Sequence, residues 1–231
     1  MHILSNASVA VPSIDKYHPL LLRCLPTVRS MAERSGALGG FSVADLSGAE
    51  RHNWHMLLGW YGAGVYSVPF LSPEYCAALL AEAKRFEYKV NEEEDKPVQI
   101  PEVVLGEACP ALYGCLSALF MNAVGPLAEV IWGNQPETMA SVQFARYTPE
   151  NTAQGHWHTD KDSDITLVVA LSNDHEGGGT QFRTPGIQYA TKVPQLPVGH
   201  AMLFNGKMTR HMGLPVTEGE RNLLVFWSET K

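Results

Sequence analysis

At 231 residues and 45% apolar content, the chain can bury one sizeable core but is short for two domains. Its 17 basic and 24 acidic residues give a net charge of −7 with no basic stripe, which argues against a nucleic-acid partner. No run approaches about 18 uninterrupted apolar residues and no basic-then-apolar leader is evident, so the expectation is a cytoplasmic protein with no membrane span.

Residues 1–60 read as a helical N-terminal extension that packs on the core or mediates assembly. Tyr17 to Ala32 has helical spacing interrupted by Pro26, Gly36 to Gly40 reads as a turn, and Ser42 to Leu58 as a second helix weakened by Gly48. The main domain, residues 61–231, opens with a strand from Gly64 to Phe70. Ser72-Pro73-Glu74 then supplies a cap, a first-turn proline and an early acid for a helix running to about Phe86. Asn91 to Asp95 is an acidic run, by default a solvated loop, with attraction of a cationic substrate as the alternative. Ala111 to Trp132 is a long apolar support helix, expected to break or kink at Gly125-Pro126.

From Met139 the period changes to that of strands. Ser141 to Tyr147 alternates, and Asp164 to Ser172 is apolar on both faces, with Thr166, Val168 and Ala170 on one of them. Glu176-Gly177-Gly178-Gly179 is a tight turn without the Lys-Ser/Thr ending of a phosphate loop. Short strands follow at about Ile187 to Thr191, Ala201 to Phe204 and Arg221 to Ser228. Many short strands with Gly/Pro turns indicate a sandwich or jelly roll. Cys24, Cys76, Cys109 and Cys115 lack CxxC spacing and read as buried or free thiols of a reducing compartment.

The chemistry concentrates in His158-Thr159-Asp160 and two residues downstream. A histidine and a carboxylate two apart in an extended segment point to one side. Adding His211 gives two histidines and one carboxylate, a set that holds non-haem Fe(II) with coordination positions left open. Arg221 begins a strand and can present a planar fork to a carboxylate, for which the distal carboxylate of 2-oxoglutarate is the matching group. Two histidines compete for the metal. His156-Trp157-His158 repeats the spacing without a carboxylate, which leaves His156 as a supporting or substrate-side residue. His200 lacks a strand-starting Arg ten residues on and reads as a core or turn histidine. Trp227, on the Arg221 face, reads as core.

The last ninety residues resemble the 2-oxoglutarate/Fe(II) dioxygenases, above all the catalytic domain of procollagen lysyl hydroxylase, with prolyl 4-hydroxylase more distant. The carrying segments are Phe144-Ala145-Arg146-Tyr147-Thr148-Pro149-Glu150, His158-Thr159-Asp160, Glu176-Gly177-Gly178-Gly179-Thr180-Gln181-Phe182 and Thr209-Arg210-His211-Met212-Gly213-Leu214-Pro215, completed by Thr217, Gly219 and Arg221. The resemblance implies an α+β double-stranded β-helix (jelly roll) with N-terminal support helices. It implies iron on His158, Asp160 and His211, and 2-oxoglutarate at Arg221, with Tyr147 and Thr166 on the cosubstrate side. It also implies ascorbate as an optional reductant, and O2 with an amino-acid, peptide or protein substrate, lysyl favoured over prolyl. Two departures stand out: one extra residue follows the HTD segment, and Val168 occupies a position where the lysyl hydroxylase pattern carries a polar amide. The alternatives are hydroxylation of a free amino acid or small metabolite and, from another class, a jelly-roll binding module without catalysis.

Overall fold

The computed structural model describes residues 8–38, 45–62, 64–90, 92, 99–152, 156–183 and 190–230. In chain order, helices α1 (Pro19–Leu38) and α2 (Gly48–Leu57) precede strands β1 (Gly59–Trp60) and β2 (Tyr66–Pro69). Helix α3 (Pro73–Ala83), strand β3 (Glu102–Val104) and helices α4 (Leu105–Ala108) and α5 (Pro110–Trp132) follow. The rest is strand: β4 (Pro136–Tyr147), β5 (Ile165–Ala170), β6 (Glu176–Gly177), β7 (Thr180–Arg183), β8 (Thr191–Val193), β9 (His200–Phe204), β10 (Arg210–Gly213), β11 (Val216–Glu218) and β12 (Arg221–Thr230).

Local chemistry explains the helix starts. His18 precedes Pro19 and accepts the Leu20 backbone N–H at Nδ1, so a histidine caps α1. Ser47 and Glu50 form a reciprocal capping box on α2, which puts Gly48 at the helix start rather than its interior, where it costs little. Ser72 caps α3 with Pro73 behind it, as its sequence signature predicts, although α3 stops at Ala83 rather than near Phe86.

The interruption expected at Pro26 is absent, and at Gly125-Pro126 the helix is not broken. Helix α1 runs through Pro26 and on to Leu38, and α5 runs through Pro126 to an αL cap at Gly133. Buried Val124, Gly125, Leu127 and Ala128 flank Pro126, and this packing carries α5 past the missing hydrogen bond. By length and composition α5 is apolar enough to cross a membrane, but half of its apolar window is buried inside the fold. The acidic run lies outside the described residues apart from Asn91's neighbour Glu92, which is exposed. The strand expected at Ile187 to Thr191 is described only from residue 190, and begins at Thr191.

The architecture is a double-stranded β-helix. A seven-stranded antiparallel sheet, ordered β1-β2-β9-β5-β12-β4-β3, faces a three-stranded sheet, β10-β7-β8, and a two-stranded ribbon, β11-β6. Period-two alternation divides the large sheet into two faces. The outer face carries Val142 and Phe144, Leu167 and Val169, Ala201 and Leu203, and Leu224 and Phe226, all packed into one apolar cluster with α1, α3 and α5. Phe226 sits at its centre, stacked on Phe120 of α5 at 5.3 Å and edge-on to Phe70 at 5.8 Å. Part of the N-terminal region belongs to this core. Tyr17, Leu21, Cys24, Leu25 and Val28 share that core, and the Tyr17 hydroxyl donates to the Leu119 carbonyl. All four cysteines are buried and free.

The inner face carries Tyr147, Arg221, Leu223, Val225, Trp227, Thr166, Val168, Ala170, Met202 and Phe204, as the strand registers require. It meets the small sheet through Phe182, Phe204, Met202 and Val193. Trp227 is only half-buried, against a small cluster with Ala145, Leu223 and Val225.

Candidate active site

Between the sheets, His158, Asp160 and His211 bring one ligand atom each to within 4.8 Å of one another. The tertiary contact that makes this possible is a two-way backbone bridge. The His158 N–H donates to the His211 carbonyl at 3.0 Å, and the His211 N–H donates back at 2.8 Å. A second tie, from the Asp160 N–H to the Gly206 carbonyl at 3.1 Å, holds the carboxylate's backbone beside the turn after β9. A Cβ at Gly206 would lie 2.4 Å from the Thr166 hydroxyl and 2.9 Å from the Asp160 Cβ, so only glycine admits this approach.

Hydrogen bonds leave the right atoms available. His158 Nδ1 lies 3.1 Å from the His156 carbonyl, and His211 Nδ1 lies 2.9 Å from the Thr209 carbonyl. A carbonyl only accepts, so each Nδ1 carries the proton and each Nε2 presents a lone pair. Asp160 Oδ2 accepts the Thr166 hydroxyl at 2.7 Å, which leaves Oδ1 facing the two Nε2 atoms at 3.8 Å and 3.5 Å. Ligand atoms bound at about 2.1 Å in a cis arrangement lie roughly 3 Å apart, so a small closure completes a three-ligand site. Buried His211 is walled by Phe204 at 4.8 Å and Phe182 at 5.8 Å between ring centroids. Burial first, and the neighbouring His158 as well, hold its imidazole below the usual range against the opposing pull of Asp160, which favours the neutral, ligating form. Asp160 and His211 are enclosed while the His158 side chain is 41% exposed, so the metal's open side is the His158 side. His156 stacks on His158 there, at 6.3 Å.

At the opposite end of the inner face, Arg221 pairs in register with Tyr147, whose ring lies 5.6 Å from the guanidinium. Arg221 is 5% exposed, and its Nη1 donates to the Gly179 carbonyl at 3.1 Å. Among the described residues it has no carboxylate partner, and burial pushes its pKa down. The glycine turn and the segment after His211 form one clasp around it. Gly178 N–H donates to the Pro215 carbonyl at 2.7 Å, and Leu214 N–H to the Gly179 carbonyl at 3.0 Å. Gly177, Gly178 and Gly179 all have positive φ, and a Cβ at Gly178 would press within 3.2 Å of Arg221 Cδ. The cleft in front of Arg221 is lined by Val168, Ala170, Met202, Leu223 and His175.

The structure thus gathers His158, Asp160 and His211 in one place and Arg221 with Tyr147 in another, with Val168 and Ala170 marking the inner face between. Thr166 goes to the metal end: its hydroxyl is engaged by Asp160 and by Ser163 at 2.8 Å, rather than reaching the Arg221 cleft. His200 lies away from the metal, ring-on-edge with His18 at 5.3 Å. Three residues here carried no signal in the sequence reading. Gly206 is marked only by what it touches, Ser163 only by standing three before Thr166, and His175 only by standing directly before the glycine turn.

A donor set of two imidazoles and one carboxylate, with Asp160 and His211 buried and His158 exposed, fits a hard divalent metal with open positions. A buried, unpaired guanidinium beyond it fits the far carboxylate of a 2-oxo diacid. This fold and this site have the features of an Fe(II)- and 2-oxoglutarate-dependent oxygenase. Residues 142–229 match the model of the 2OG-Fe(II) oxygenase superfamily, a span that contains Tyr147, the three metal-site residues and Arg221. The matched span thus resembles the oxygenase domain of that superfamily, whose Fe(II) and 2-oxoglutarate suit the His158/Asp160/His211 set and Arg221. A curated relative, the multifunctional procollagen lysine hydroxylase and glycosyltransferase of Caenorhabditis elegans, is 29% identical over 180 residues. The match covers 70% of this chain and only 23% of that protein's length. Two solved structures share the fold. A prolyl-4-hydroxylase of Pseudomonas putida aligns with TM-score 0.56 and 21% identity, over 72% of this chain and 92% of its own. A 2OG-Fe(II) oxygenase-family oxidoreductase of Burkholderia pseudomallei aligns with TM-score 0.56 and 17% identity, over 72% and 84%.

Proposed function

We propose that the protein hydroxylates an amino-acid side chain within a peptide or protein, with lysine the favoured target. The observation that carries the reading is the pairing of an open-sided His158/Asp160/His211 set with a buried Arg221 that lacks a carboxylate partner among the described residues. Likeness to a lysine hydroxylase supports lysine, and likeness in fold to a prolyl hydroxylase keeps proline as the competitor. The acidic run falls largely outside the described residues and adds nothing to the choice.

With iron and 2-oxoglutarate bound, O2 would be the oxidant: one of its atoms would enter the substrate C–H bond and the other succinate, formed with CO2 from the oxo acid. The chain's own part is positioning. His158, Asp160 and His211 hold the metal, their orientation fixed by the His156 and Thr209 carbonyls and the Thr166 hydroxyl. Arg221 neutralises and orients the far carboxylate, with Tyr147 against its flank. Val168, Met202, Leu223 and Phe204 keep the inner face apolar and exclude water. The exposed flank, with His156 and His158, is where a polypeptide side chain reaches the metal. Ascorbate serves as a reductant that restores Fe(II).

The test is mass spectrometry of charge-matched lysine and proline peptides and a free amino-acid panel, with succinate release as a second readout. A lysine peptide gaining one oxygen is the expected result. Oxidation of proline alone moves the assignment to the prolyl class, and oxidation of free amino acids alone overturns the polypeptide reading.

A further inference from the structure

His175 has no place in the function as so far derived, yet its surroundings are those of a ligand-binding group. It is 6% exposed, and neither ring nitrogen has a hydrogen-bond partner among the described residues. Its chain neighbours Asp174 and Glu176 are exposed, so the loop turns one residue inward between two that face solvent. That inward side chain lines the same cleft as Arg221. The two side chains flank Gly178 from either side: a Cβ there would lie 3.3 Å from His175 Nε2 and 3.2 Å from Arg221 Cδ. The Nε2 edge of the ring therefore faces the same small space as the base of the guanidinium stem.

A buried imidazole with both nitrogens unmatched is rare, because each bare polar atom forfeits its bond to water. A buried guanidinium without an anion beside it is more costly still. One anionic group in the shared cleft relieves both. A carboxylate has two oxygens and about four lone-pair directions, enough for a guanidinium fork and an imidazole N–H together.

We propose that His175 is a second anchor for the distal carboxylate of 2-oxoglutarate, donating an N–H to it beside Arg221. This rests on the reading of Arg221 as the carboxylate anchor. The role accounts for three features at once: the inward turn of the loop, a bare ring N–H, and glycine with positive φ at position 178, where a Cβ would press on both anchors. It also gives the cleft a means of selecting a 2-oxo diacid over a 2-oxo monoacid, since both anchors go unmatched when the far carboxylate is missing.

The test is calorimetric titration of the Fe(II)-loaded protein under anaerobic conditions with 2-oxoglutarate and, separately, with pyruvate, which lacks the distal carboxylate. His175→Leu is expected to weaken 2-oxoglutarate binding about tenfold or more, the size of a lost hydrogen bond to a charged group, and to leave pyruvate binding unchanged. His175→Gln, which keeps an N–H donor of similar reach, is expected to recover part of the loss and guards against a folding defect in the leucine variant. Equal weakening of both ligands assigns His175 a purely structural role and overturns the proposal, as does unchanged 2-oxoglutarate affinity. Arg221→Ala is run alongside and is expected to weaken 2-oxoglutarate roughly 30-fold or more. If Arg221→Ala has no effect, the cosubstrate reading itself fails. If Arg221→Ala acts and His175→Leu does not, only the second anchor is lost.

Discussion

The two faces of the large sheet are built to opposite rules. On the outer face, Leu224 and Phe226 of β12 meet Phe120 and the other apolar side chains of α5, and the cluster they form is entirely hydrophobic. On the inner face, one residue out of phase on the same strand, Arg221 is buried without a carboxylate among the described residues, and Asp160, His175 and His211 are buried around it and at the metal end. Burying apolar area stabilises; burying unmatched charge and imidazole costs stability. The helix-backed half thus holds the fold, and the half facing the small sheet holds the groups of the proposed site.

Substitutions that separate the faces test this division, beginning with the largest effect. Asp160→Ala is expected to abolish succinate release while the circular dichroism spectrum stays native, because two imidazoles alone hold Fe(II) weakly. Normal iron uptake and turnover in this variant would remove Asp160 from the metal site. Phe226→Ala is expected to lower unfolding stability by about 3–5 kcal/mol in denaturant titration while the folded fraction keeps its affinity for 2-oxoglutarate. A selective loss of cosubstrate affinity would show that the faces are coupled.

Arg221→Met sharpens the contrast. It is expected to cost about 2–5 kcal/mol of 2-oxoglutarate binding. The thermal midpoint of the ligand-free protein should not fall, and can rise, since an unpaired buried charge has been replaced by a flexible apolar chain. A clear drop in that midpoint would mean Arg221 is structural. Thr166→Val keeps the shape but removes the donor to Asp160 Oδ2, and iron affinity is expected to fall about 10- to 100-fold in a metal titration. Full iron affinity would show that this hydroxyl does not support the carboxylate.

The smallest effect belongs to the rim. Partial burial raises the Asp164 carboxyl, but the Thr230 backbone N–H and the Lys207 ammonium outweigh it and hold its pKa below the usual value. A depressed folded pKa contributes stability above the unfolded pKa and loses it as pH falls through the folded one. Asp164→Asn should therefore cost about 1 kcal/mol or less at neutral pH. That difference should vanish in strong acid, as measured by denaturant midpoints across pH. A difference that persists in acid would assign the loss to packing instead.

How much of this was legible in the chain depends on the range of the interaction. Caps, strand alternation and spacing are local. Ser72-Pro73, the period-two run in β4 and the HTD segment could therefore be read directly, and an Arg at the start of a strand pointed to a carboxylate. The interruption expected at Pro26 did not form, because Leu21, Cys24, Leu25 and Val28 of the same helix are held in a core built from distant segments, which no window of sequence contains. For the N-terminal sixty residues the sequence left packing on the core and mediating assembly both open, because Tyr17's partners, Leu119 and Phe70, lie far along the chain. Thr166 was placed on the inner face by period alone. That its hydroxyl serves Asp160 depends on Gly206 bringing another turn within contact distance. His175 shows the limit most plainly. Its residue type and its place before three glycines were visible, but orphaned nitrogens and a cleft shared with Arg221 exist only when β5, the glycine turn and β12 have been folded against one another. The sequence by itself determined which atoms were available for the chemistry. The tertiary structure decided which of them were left without partners, because burial and hydrogen bonding are properties of the packed chain.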